Sequence, residues 1–88
     1  MIVIYTMDKC TKCAALKDSI KTMGIDYEER DMSASESIAE LMSNGVFALS
    51  APVLQVNDTF FDLPAIFPDV RNPRKISKEV IDTLLSCK

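Results

Sequence analysis

The sequence predicts an α/β fold, a mixed four-stranded sheet with helices on both faces, in the order β-α-β-α-β-β-α. Three observations carry this. The chain opens on a continuous apolar, β-branched run, "IVIY" (Ile2–Tyr5), of the kind buried on both faces of a sheet. Helical spacing of apolar residues then separates the strand-like segments of the first half, as parallel strands require. Two β-rich runs, "PVLQV" and "TFF", flank Asn57-Asp58, whose backbone tolerance suits a tight antiparallel turn.

Each element has its own local reason. Cys13, Leu16, Ile20 and Met23 recur at helical spacing, with Lys17, Asp18 and Lys21 elsewhere on the wheel. Gly24 is placed to end that helix in a left-handed conformation. "IDYEERDM" (Ile25–Met32) reads as the second strand, with Tyr27 pointing inward. Ser33 or Ser35 is the expected cap of the next helix, since a serine oxygen accepts from a free first-turn amide. Ile38, Leu41 and Met42 form its apolar stripe and "SNG" (Ser43–Gly45) closes it. Leu63–Arg74 holds three prolines and no period, so it reads as a loop. "SKEVIDTLLSCK" starts on a capping serine, and Ile76, Val80, Ile81, Leu84 and Leu85 give it an apolar face.

The 88 residues are read as one domain, 1–88, without repeats or low-complexity segments. A composition 48% hydrophobic and 26% charged is that of a globular chain. No apolar run approaches the roughly 18–20 residues that span a bilayer. "MIVIYTMDK" lacks the basic region and cleavage site of an export signal, so a cytoplasmic, non-membrane protein is expected. The net charge of −3 is uneven, with +2 over residues 1–24, −8 over 25–70 and +3 over 71–88. An acidic middle excludes the basic face a nucleic-acid partner needs.

The chemistry concentrates in "DKCTKC" (residues 8–13). Histidine is absent, which removes the usual general base and the commonest zinc ligand. A sulfur on Cys10 at a helix start would face unpaired amides and the positive dipole end. Lys9 and Lys12 add positive charge, which Asp8 partly opposes. Such surroundings lower a cysteine pKa from about 8.5 toward 7 or below. Cys13, one turn further in, is the more buried partner and is in reach of Cys10. The pair then suits disulfide exchange, Cys10 attacking and Cys13 resolving the mixed disulfide. A structural zinc site lacks ligands here. An inert buried pair and a soft-metal carrier of the copper type remain as other readings of the two sulfurs.

"YTMDKCTKC", the helix ending at Gly24 and "SAPVLQVND" together resemble the glutaredoxin family of the thioredoxin superfamily, and within it the small redoxins that reduce ribonucleotide reductase. The resemblance implies a thioredoxin-like fold of glutaredoxin type and a thiol-disulfide oxidoreductase with a redox-active Cys10–Cys13 disulfide. It implies that Ala51–Pro52 is cis and lies against that disulfide, with Ala51 offering backbone hydrogen bonds. Substrate contacts then fall to Lys9, Thr11, Lys12, Ala51 and Pro52, with no metal and no cofactor.

Three departures from the family pattern point away from glutathione: Met7 replaces a lysine, Thr11 and Lys12 replace Pro-Tyr, and Asp62-Leu63 replaces Gly-Gly. The implied partners are a client protein disulfide, such as that of ribonucleotide reductase, and a disulfide reductase as electron source. Glutathione is expected to be weak or absent, and the protein a monomer. The aromatic stretch "TFFDLPAIFPD" reads as core packing and a rigid loop, or as a docking surface. Cys87 reads as a bystander in the terminal helix. A copper-type carrier would instead follow its first helix with a hairpin, and the Ala-Pro has no counterpart there.

Overall fold

In the computed structural model, which describes residues 1–47, 50–68 and 75–86, β1 (Ile2–Thr6) is an inner strand. The sheet order is β2-β1-β3-β4. β1 runs parallel to β2 (Glu28–Asp31) and antiparallel to β3 (Val53–Val56), which pairs antiparallel with β4 (Thr59–Phe61). Alternate side chains of β1 enter opposite cores. Ile2 and Ile4 meet Leu16, Ile20, Leu54, Ile66, Val80 and Leu84, whereas Val3 and Tyr5 meet Met32, Leu41 and Val53. Helices therefore cover both faces. The Tyr5 hydroxyl donates to Gln55 Oε1 at 3.3 Å, and burial, then nearby Glu40, pushes its pKa up.

α1 (Thr11–Thr22) follows β1 and ends as expected at Gly24, whose φ is 73°. The Gly24 amide donates to Lys21 and the Ile25 amide to Ile20, two bonds that satisfy carbonyls of the last turn. α2 (Ser35–Ser43) ends the same way. Gly45, at φ 75°, donates to Met42 and Val46 donates to Leu41.

The second strand is shorter than the sequence reading, Glu28–Asp31 instead of Ile25–Met32. Tyr27 precedes it, half-buried against the α1 side of the sheet. The strand lies at the sheet edge, where charged side chains are tolerated and block further pairing. Its alternation is read by ion pairs. Glu29 meets Lys17 of α1 on one face, and Arg30 meets Glu40 of α2 on the other.

Neither serine caps α2. Ala34 is the N-cap residue and makes no side-chain bond. The Asp31 carboxylate instead accepts from the Ser33 amide at 2.9 Å and hydroxyl at 2.7 Å, which holds its pKa below the usual value. Ser35 is already inside the helix. The apolar stripe is also rotated: Ser37 and Leu41 are buried, while Ile38 and Met42 are exposed.

The expected loop from Leu63 begins instead with a short helix, α3 (Leu63–Ile66). Asp62 caps it, its Oδ1 accepting from the Ala65 amide at 3.1 Å. Pro64 falls in the first turn, where no amide donor is needed. Phe61 and Phe67 are core residues, and Phe60 is half-buried. α4 (Lys78–Ser86) is capped by Ser77, whose Oγ accepts from Val80. It buries Val80 and Leu84, but Ile81 and Leu85 stay exposed, lining an open groove beside α1. Cys87 lies outside the described residues. Among the described residues no helix is long and apolar enough to cross a membrane.

Candidate active site

The register of the sheet gathers the site. Tyr5 pairs with Val53, so the chain beyond β1 and the chain just before β3 emerge at the same sheet end. β2 runs parallel, so its exit lies there too, and the Met32 amide donates to Thr6 at 2.7 Å. Met7–Cys10, Met32–Ser33 and Ala51–Pro52 are thus brought to one rim.

Lys9 takes a left-handed conformation, φ 56°, which turns the chain out of β1 and into α1. A non-glycine residue pays roughly 1–2 kcal/mol for this. Cys10 is then the N-cap, with φ −98° and ψ 103°, and its Sγ accepts from the Cys13 amide at 3.1 Å. Sulfur here takes the place of the serine or aspartate oxygen that commonly satisfies a first-turn donor. Cys10 and Cys13 are joined as a disulfide with Cα atoms 5.2 Å apart. Cys13 is buried at 2% exposure, and Cys10 is half-exposed. The outer sulfur can be approached by another molecule; the inner one can be reached only through it.

The remaining candidates divide. Thr11 is exposed at the first position of α1. Lys9 is exposed, Lys12 is half-buried, and neither joins an ion pair among the described residues. The Ala51–Pro52 peptide is cis, with Pro52 buried and Ala51 packed on the Val3–Tyr5 core. Asp62 and Leu63 are engaged structurally, the one as a cap and the other against the core.

One feature escaped sequence reasoning. Beside Met7 lies an open groove of about 390 Å³, lined by Met7, Met32, Ile38, Leu41, Met42 and Phe47 with Ser33 and Val46. Ile38 and Met42 read as core residues from their spacing, and only the rotation of α2 exposes them.

A Glutaredoxin family model matches residues 2–61. The gene 56 protein of Mycobacterium phage L5 is 29% identical over 68 residues, which are 77% of this chain and 65% of that protein, so the chain spans slightly under two thirds of that relative's length. Among solved structures, a point mutant of the thioredoxin-like protein BC3987 superimposes with a TM-score of 0.69 at 19% identity, covering 97% of this chain and 99% of that one. NrdH-redoxin from Escherichia coli, a glutaredoxin-like protein with a thioredoxin-like activity profile, gives 0.57 at 28% identity over 69% of this chain and 79% of that one. The copper-carrier reading fails on topology, because β2 leads into the helix α2 where that reading expects a hairpin. With a thioredoxin-like fold, a Cys-x-x-Cys disulfide at the head of α1 and a family match over most of its length, the chain belongs to the glutaredoxin family.

Proposed function

We propose that this chain is a dithiol-disulfide oxidoreductase that reduces protein disulfides through Cys10 and Cys13. The observation that carries the reading is the pairing of an approachable sulfur at the N-cap of α1 with a buried one a turn later. In the reduced protein, the first-turn amides and the helix dipole favour thiolate on Cys10. That thiolate attacks one sulfur of the client disulfide. A mixed disulfide forms, and the other client sulfur leaves as a thiolate that takes up a proton. Cys13, once deprotonated, attacks Cys10, closes the Cys10–Cys13 disulfide and releases the second client thiol. Two electrons and two protons pass from protein to client. No histidine is required.

The electron source in this reading is a disulfide reductase in preference to glutathione, and the client is an enzyme such as ribonucleotide reductase. The thioredoxin-like profile of the NrdH-redoxin relative supports the first part. The local chemistry supports it as well. Met7 offers no cation for a glutathione carboxylate, and Asp62 places a carboxylate on α3 where the family has open amides. The test is recharging of the oxidised protein in the presence of a protein disulfide. A flavin-linked reductase or dithiothreitol should sustain turnover, while millimolar glutathione with its own reductase should not. Efficient turnover on glutathione alone would overturn the choice of electron source.

A further inference from the structure

We propose that the methionine-lined groove beside Met7 receives an apolar side chain of an oxidised client polypeptide, adjacent to the client's disulfide and followed by acidic residues. This rests on the disulfide-reductase reading and names its substrate class. Seven of the eight lining residues are apolar, and the eighth, Ser33, has its hydroxyl donated to Asp31. Met7 is 44% exposed, Met42 53% and Phe47 71%, so the apolar surface is offered to solvent among the described residues. Methionine suits such a role, since its unbranched, polarisable side chain adapts to different partners. The groove also begins close to the chemistry. Met7 and Cys10 are three residues apart, at most roughly 11 Å of extended chain.

Charge selects among the occupants. Glutathione carries two carboxylates but no large apolar side chain, so whatever its charges meet, it leaves this cation-free apolar groove unfilled. A polypeptide satisfies both halves of the rim at once. Its apolar residue fills the groove, while acidic neighbours meet Lys9 and Lys12, which flank the sulfurs and pair with no acid among the described residues. Glu29 already engages Lys17, so that cation contributes less to the rim.

The experiment uses two synthetic disulfide-cyclised peptides that differ only in the residue next to one cysteine, Phe in one and Ser in the other, each with two aspartates beyond it. The reduced protein is mixed with each, and kcat/KM for peptide reduction is measured with hydroxyethyl disulfide as a small reference substrate. The Phe peptide should react about tenfold faster, the ratio that about 1.4 kcal/mol of differential binding gives. Met42→Lys and Ile38→Ser should bring the ratio below twofold. Far-UV circular dichroism of each variant must show it folded, because an unfolded dithiol would react with both peptides alike. Ile81→Ser, on the exposed side of α4, should leave the ratio unchanged. Replacing both aspartates by lysines should slow the Phe peptide severalfold at low salt, and the difference should shrink at high salt. Equal rates for the Phe and Ser peptides, with hydroxyethyl disulfide still reduced, would overturn the groove assignment alone. Failure to reduce hydroxyethyl disulfide at all would overturn the dithiol reading and this inference with it.

Discussion

Lys17 of α1 donates to the Glu29 carboxylate at 2.8 Å, across the edge of the sheet from helix to β2. The same carboxylate oxygen accepts from the Thr6 hydroxyl at 3.3 Å, so one acid ties together β1, β2 and α1 just before the turn that leads to Cys10. The Lys17 hydrogen bond is the main cause holding the Glu29 pKa below its ordinary value of 4.5. A depressed carboxylate contributes stability that is present above its unfolded pKa and lost as pH falls through the folded value. Glu29 is 45% exposed, so solvent screening limits the contribution to about 0.5 kcal/mol. Urea unfolding at pH 6 and at pH 3 should show the wild type losing more stability than Glu29→Gln, by roughly that amount.

The division of labour between the sulfurs makes a second prediction. Cys10→Ser should abolish disulfide reduction. Cys13→Ser should permit the first attack and trap the mixed disulfide, visible by intact-mass spectrometry as protein plus client. Normal turnover of Cys13→Ser would contradict the dithiol mechanism.

The two helix stops are testable separately from the chemistry. A Cβ on Gly45 would meet nothing within 4 Å, so the only cost of Gly45→Ala is the left-handed backbone at φ 75°. That cost is about 1 kcal/mol, or roughly 4–8 °C in melting temperature for a chain of this size. Gly45→Asn should cost less, since asparagine tolerates this conformation. A neutral alanine variant would show that the α2 terminus relaxes out of it.

The glutathione prediction follows from Met7 and Asp62. Met7→Lys with Asp62→Asn adds a cation, removes an anion and keeps an oxygen able to cap α3. A charge-assisted hydrogen bond contributes roughly 1.5–3 kcal/mol, so glutathione-linked recharging should rise about tenfold or more. Glycines at 62 and 63 are a poorer test, because they delete the α3 cap and the packing of Leu63. Losing the cap alone costs about 0.5–2 kcal/mol. No gain from Met7→Lys with Asp62→Asn would mean that other groups decide the electron source.

How much was legible depended on whether one residue's type decided the matter. Ile2–Tyr5 could be read directly, because a strand buried on both faces needs no partner to declare its pattern. Gly24 and Gly45 marked helix ends for the same reason. The Asn57-Asp58 turn was also legible, and Asn57 takes the left-handed backbone there, with φ 54°. Cys10 and Cys13 announced a sulfur site by type and spacing. The α2 face could not be read this way. Ser37 with Leu41, and Ile38 with Leu41 and Met42, are both helical spacings, and only packing on Val3 and Tyr5 chooses between them. Hydrophobicity favoured the second set, and the structure buries the first. The groove was invisible in the sequence as a result. Asp62 was read for its charge toward a ligand, whereas its capping role emerges only once Leu63–Ile66 is helical.

β1 is also a reading frame in space. Its residues enter the two cores by turns, and the strand runs without interruption into the turn that presents Cys10. Inserting or deleting one residue between Ile2 and Thr6 would do more than move the sulfur by the ~3.3 Å of a strand step. It would exchange the occupants of both cores, sending Tyr5 toward Leu16 and Ile4 toward Leu41. Loop grafts on this scaffold therefore have a fixed origin. Length can be varied after Thr6, where the chain has left the sheet, but the five residues of β1 itself must be counted in pairs.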